Sequence, residues 1–187
     1  DTVVVFKNKK DFGNELCNEL RSKWNRVIEV TSSTEYKKAD ESVYFVGNKK
    51  EDYISLFEDI GMDNITHIMH LFTLDSDGEK NSLQELDESL ESGVYSLLYM
   101  AQAIHCAGLK KEVNLILLSR YVNKVSGDEP TIMPENSSIF GLGKVIAKEN
   151  PLLKIKAIDA DEKFSVVDLL NEINNRGEGF ITAFRTG

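Results

Sequence analysis

Ser119, Phe140 and Lys144 are the residues whose types and spacing come nearest to an acid–base site. A Tyr four residues ahead of a Lys on one helix, with a Ser ending the preceding strand, can protonate a carbonyl during hydride transfer. The phenol gives the proton, the ammonium lowers its pKa and the serine orients the oxygen. Ser119 closes the run "VNLILLS" (113–119), and "SSIFGLGKVIAKENP" (137–151) supplies Phe140-x-x-x-Lys144. Phenylalanine has no hydroxyl, so this register predicts no proton donor and a packing role for Phe140. None of the six tyrosines, at positions 36, 44, 53, 95, 99 and 121, has Lys four residues on. The gap from Ser119 to Phe140 is also long for such a site.

A dinucleotide pyrophosphate needs a glycine-rich turn after the first strand, because only glycine lets backbone N–H groups approach it without a Cβ in the way. Here the turn reads "FKNKKDFGNEL" and keeps Gly13 alone. Lys9, Lys10, Asp11 and Phe12 put side chains where phosphates would lie, and Asp11 reads as a helix cap. Gly141-x-Gly143 lacks the third glycine and lies in a helical stretch rather than after a strand. No cofactor-binding residue is assigned.

Metal sites fare no better. His67-x-x-His70 falls on a strand, where residues three apart point to opposite faces. His105 and Cys106 diverge around a helix. "DSDGE" (75–79) lacks the further oxygen ligands and closing Glu of a calcium loop, and reads as a turn. Asp159 and Asp161 lie at the carboxyl end of a strand and read as a solvated loop. "ELDESLE" (85–91) reads as an exposed helix face, suited to docking a neighbouring domain. Catalytic and metal residues are therefore both expected to be absent.

The elements that would position these residues alternate. β-Branched runs fall at 2–6, 26–30, 42–46, 66–72, 113–119, 153–159 and 180–184, seven candidate strands. "VNLILL" and "HIMHLF" are nearly continuous in apolar character, as strands covered on both faces require. Phe12, Leu16, Leu20 and Trp24 recur every fourth residue, and Tyr53, Leu56, Phe57 and Ile60 follow helical spacing. Ser82-x-x-Glu85 opens the longest helix, predicted to bury Leu90, Val94, Leu97, Leu98, Ala101 and Ile104 and to end before Gly108. Val166, Val167, Leu170 and Ile173 mark a last helix that stops near Gly177. Residues 31–41 are too short and polar for a crossover helix and are expected to form a loop. The pattern predicts an α/β, truncated Rossmann-like, doubly wound parallel sheet of about seven strands with helices on both faces.

The 187 residues, 41% hydrophobic, are read as one domain over 1–187. A net charge of −9 argues against nucleic acid as a partner, because phosphate backbones need clustered Lys and Arg. The basic pairs Lys9-Lys10, Lys37-Lys38, Lys49-Lys50 and Lys110-Lys111 are scattered among acids and read as solvated surface. No apolar run approaches the roughly 20 residues that cross a bilayer, and "DTVVVFKNKKDF" lacks the layout of a signal peptide. A cytoplasmic chain, cut from a longer protein, is expected. Cys17 and Cys106 read as reduced core thiols.

"SSIFGLGKVIAKENP", preceded by "THIMHLFTLD", "SGVYSLLYMAQAI" and "VNLILLSR" and followed by "LKIKAIDAD", resembles the structural subdomain of ketoreductase domains in modular polyketide synthases. The similarity runs from about Val3 to Phe184. Phe140 stands where that family often has tryptophan, and Lys144 where arginine is common. The resemblance implies a short-chain-dehydrogenase-like, non-catalytic first half that binds no cofactor. It would brace a second half carrying NADPH and the catalytic residues, which reduces the β-keto group of an acyl-carrier-protein-bound polyketide. The implied partners are that catalytic half, neighbouring synthase domains and the acyl carrier protein. A surface normally covered by the second half should be exposed and apolar, open to a homodimer. Two alternatives stay open: a self-standing NAD(P)-dependent reductase with a degenerate turn, and a pseudo-ketoreductase scaffold for other reducing domains.

Overall fold

A computed structural model describes residues 1–75, 78, 80–174 and 179–185. Its eight-stranded sheet has the order β3-β4-β2-β1-β5-β6-β7-β8. The strands are β1 (Thr2–Phe6), β2 (Arg26–Ser32), β3 (Lys37–Lys38), β4 (Val43–Val46), β5 (Ile65–His70), β6 (Val113–Arg120), β7 (Leu153–Ala160) and β8 (Ile181–Ala183). All pairings are parallel except β3 with β4. The doubly wound parallel sheet expected from the sequence is present, with one strand more than the seven predicted. The addition, β3, is a two-residue antiparallel edge inside the expected loop 31–41, held by pairing of Lys37 with Phe45 and Lys38 with Tyr44 rather than by any apolar signal of its own. No crossover helix covers this part of the sheet.

The helices are α1 (Asp11–Arg21), α2 (Lys50–Ile60), α3 (Leu83–Leu90), α4 (Ser96–Ala107), α5 (Ser137–Glu149) and α6 (Val166–Asn174). Side chains alternate along the strands, so the sheet carries two cores. On one face Val4, Phe6, Ile68, Leu115 and Leu117 pack with residues of α2, α4 and α5. On the other, Val3, Val5, Met69, Ile116 and Leu118 pack with α1 and α6. Val3 to Phe6 are completely buried, as a strand covered on both sides must be.

Helix ends follow their sequence signals with instructive departures. Ser82 Oγ accepts the Glu85 amide at 3.1 Å, while the Glu85 carboxylate reaches past the cap to the Asn81 amide at 2.7 Å. The long helix is interrupted by a π-turn over Glu91–Tyr95, and its inner face is Ser89, Gly93, Ser96, Leu97, Met100, Ala103 and Ile104. Leu90, Val94, Leu98 and Ala101, predicted to be core, are only half-buried, because the wider turn rotates the helix and brings Ser96 inward. Gly108 ends α4 with φ +72°, a conformation glycine adopts without strain. Trp24 lies beyond α1 and packs edge-on against His67, with centroids 5.6 Å apart. Val167 is 62% exposed, so Leu169 takes the inner position on α6 instead. The predicted stop at Gly177 lies outside the described residues.

Within α5 the two glycines behave oppositely. A Cβ at Gly141 would meet nothing within 4 Å, whereas one at Gly143 would lie 2.7 Å from Leu117 Cδ1 and 3.2 Å from Phe180 Cζ. Gly141→Ala is expected to stabilise the chain by about 1 kcal/mol, the intrinsic helix preference. Gly143→Val is expected to cost about 1–3 kcal/mol through overpacking. Urea melts of the two variants check both signs.

Cys17 is buried on α1, and its thiol is pushed up to about 12 by burial and by the nearby Glu29 charge. Cys106 is exposed on α4, which corrects the expectation that both thiols are core. A thiol reagent should therefore label one cysteine in the native chain and two after unfolding.

Candidate functional site

The chain runs outward from β1 to β2 and β4 on one side and from β5 to β6, β7 and β8 on the other. Ligands of open α/β sheets bind at such a reversal, beyond the carboxyl ends of the strands. A crevice of about 580 Å³ lies there, lined by Lys9, Asn48, Phe72, Asp75, Glu88 and Glu91 among others. The Asn48 amide donates to Glu91 across it at 2.5 Å.

The turn after β1 is drawn tightly onto the protein. Gly13 is required because a Cβ there would lie 2.6 Å from Asn8 Oδ1 and 2.9 Å from Lys7 Cβ. Its bareness serves the turn's own packing. Lys7 Nζ bonds Glu29 Oε2 at 2.6 Å, and Arg21 pairs with the same carboxylate. Asp11 is not the cap predicted for it: Lys10 is the N-cap, without a side-chain bond, and Asp11 is the first helical residue, exposed. The turn before the helix is instead fastened from a distance. Both oxygens of Asp75, in the 3₁₀ turn that follows β5, accept the Lys9 amide at 2.9 Å. Burial raises the Asp75 carboxyl, opposed by the Lys9 and Lys10 amides and charges.

Ser119, Phe140 and Lys144 do not assemble into a proton-transfer set. Ser119 is fully buried, and its hydroxyl has no hydrogen-bond partner among the described residues. Phe140, 3% exposed, belongs to the core over β6. Lys144 points outward from α5, its ammonium 5.5 Å from the Phe180 ring centroid.

His67 and His70 face opposite sides of the sheet. His67 meets Trp24, while His70 lies against Phe6 and Phe72 on the other side. His70 is fully buried, with Nε2 2.9 Å from Ser96 Oγ, which also accepts the Tyr53 hydroxyl at 2.8 Å. Burial pushes the imidazole down to about 3, so the ring is neutral. No cluster of three metal-ligating side chains occurs among the described residues. The "DSDGE" stretch lies partly outside them.

Asp159 and Asp161 correct the sequence reading, for neither is solvated. Asp159 is fully buried and accepts the Val122 amide at 3.0 Å and the Asn123 amide at 2.8 Å. Asp161 accepts the Lys163 and Phe164 amides, each at 3.0 Å. Arg185 ties this region together. Its guanidinium lies 3.1 Å from Asp159 Oδ2, donates to the Asp159 and Asn123 carbonyls and to Glu129, and rests on Tyr121, 5.4 Å from the ring centroid. Tyr121 holds φ +51°, the strained start of the loop that Arg185 fastens. The Ser126 and Val125 amides keep the Glu129 carboxyl well below the usual carboxylate range. Asn48 and Arg185 were not singled out from the sequence, and Asp75 was read there only as the start of a turn, since their partners lie far along the chain.

This geometry defines a Rossmann-like fold of the short-chain dehydrogenase type. The chain belongs to the beta-ketoacyl synthase-like, N-terminal family, whose sequence profile matches residues 1–176. The resemblance read from the sequence therefore holds for family and fold. Among solved structures it is similar to the adenylation, ketoreductase and pseudo Asub multidomain structure of a keto acid-selecting NRPS module, with TM-score 0.86 and 20% identity over 98% of this chain and 16% of that one. It is also similar to an N-terminal ketoreductase from the macrolactin assembly line, with TM-score 0.80 and 20% identity over 98% of this chain and 38% of that one. A short-chain dehydrogenase from Burkholderia cenocepacia J2315 in complex with NADP matches at TM-score 0.69 and 11% identity, over 99% of this chain and 88% of that one. The chain thus spans well under half the length of the two assembly-line structures. No curated protein matches it by sequence at a significant level. No helix among the described residues is long and apolar enough to cross a membrane.

Proposed function

We propose that this chain is the non-catalytic structural subdomain of a ketoreductase in a polyketide or mixed peptide–polyketide assembly line. It braces a catalytic half that reduces a carrier-bound β-keto group with NADPH, and it takes no cofactor itself. The observation that carries the reading is Phe140 buried in the core with Lys144 turned to solvent. An oxygen-free ring and an averted ammonium leave Ser119 no acid to work with. The family match and the two assembly-line structures support the same reading.

A thermal-shift titration with NADPH tests it. A ligand at 100 times its Kd adds about 2.7 kcal/mol to stability, which is several degrees for a chain of this size. The expected shift is none; a saturable rise would favour a self-standing reductase.

A further inference from the structure

Two polar features of the crevice meet at one point. The Lys9 amide, just before α1, points into the space where a Rossmann-like fold offers backbone N–H groups to an anion. An anion is already there: Asp75, delivered by the 3₁₀ turn after the neighbouring strand β5 and bonded through both oxygens. Leu71, at the root of that turn, donates its amide to the Phe6 carbonyl at 2.9 Å, which registers the turn against the end of β1. The helix has no side-chain cap of its own, and this carboxylate holds the turn just ahead of its N-cap, Lys10.

We infer that Asp75 is a built-in phosphate surrogate, an autoinhibitory contact that fills the anion position of the switch-point crevice and keeps nucleotides out. The loss of glycines alone would weaken phosphate binding. A fixed carboxylate at the same amides opposes it outright, because it occupies their donors and repels a second anion brought close to it. The crevice rim adds Glu85, Glu88 and Glu91 against Lys9 and Lys80, so no excess of positive charge offsets that repulsion.

The inference rests on the wild-type chain taking no nucleotide, and the experiment separates the two. Backbone amide resonances of Lys9 and Lys10 are followed in the wild type, Asp75→Ala and Asp75→Asn while inorganic pyrophosphate is added at low ionic strength. The wild-type amides should stay still. In Asp75→Ala both should move saturably, with affinity at least roughly tenfold above any wild-type response. Asp75→Asn keeps the shape and loses the charge, and should respond at the same amides more weakly. It also decides the matter if the alanine variant does not fold. Still amides in every folded variant, or equal movement in the wild type, would overturn the inference. NADPH uptake by the wild type in the thermal-shift titration would instead overturn the scaffold reading.

Discussion

Arg185→Ala is expected to lower the unfolding free energy by about 3–5 kcal/mol, the cost of leaving one member of a buried ion pair behind. Asp159 is fully buried and Arg185 is 11% exposed. Truncating the arginine leaves that carboxylate with the Val122 and Asn123 backbone amides and the neutral Asn123 side chain, and with no cation. It also frees the Asp159 and Asn123 carbonyls, releases Glu129 and uncovers Tyr121. Arg185→Lys should recover only part of the loss, since one ammonium cannot reach all of these partners from a single position. Urea denaturation of Arg185→Ala, Asp159→Asn and the double variant forms a cycle that reads the coupling directly. Losses that simply add would show that the two residues act independently.

The second large effect is an acid transition set by His70. Its folded pKa of about 3 lies below the ordinary value of 6.5, so the unfolded chain binds the proton more readily. The stability contributed by the neutral ring is intact above pH 6.5 and is lost as pH falls from there toward 3. At 1.36 kcal/mol per pH unit, the loss by pH 4.5 amounts to about 3 kcal/mol. Protonation would place a cation among Phe6, Phe72, Tyr53 and Ser96, none of which can balance it. Urea melts from pH 7.5 to 4.5 should show this slope in the wild type and a flatter one in His70→Gln. Parallel slopes would assign the acid sensitivity to the carboxylates instead.

How far the fold was legible depends on whether a signal is local. β1 and β6 announce themselves because strands covered on both faces must be nearly continuous in apolar residues, and "TVVVF" and "VNLILLS" are. α2 was readable because Tyr53, Leu56, Phe57 and Ile60 keep one face. β3 was not, since two lysines become a strand only through β4. The π-turn at Glu91–Tyr95 escaped for a related reason: it follows from what α4 must present inward, Ser96 to His70 and Tyr53, rather than from any residue within the turn.

The site divides in the same way. Phe140 could be read as oxygen-free from its type alone. The burial of Asp159 could not, because its partner Arg185 lies 26 residues on and charge by itself suggests water. Asp75 was hidden more deeply still, 66 residues from the amide it binds. Its neighbours in sequence suggested a turn, and only the adjacency of β5 and β1 makes it part of the crevice.

NADPH consumption with a β-keto thioester, measured first with the purified chain and then after adding the catalytic half of the parent ketoreductase, tests the scaffold role most directly. The prediction is no oxidation above the protein-free rate until the second half is present, and faster turnover by the pair than by that half alone. Steady oxidation by the isolated chain, or a catalytic half indifferent to its presence, would contradict it.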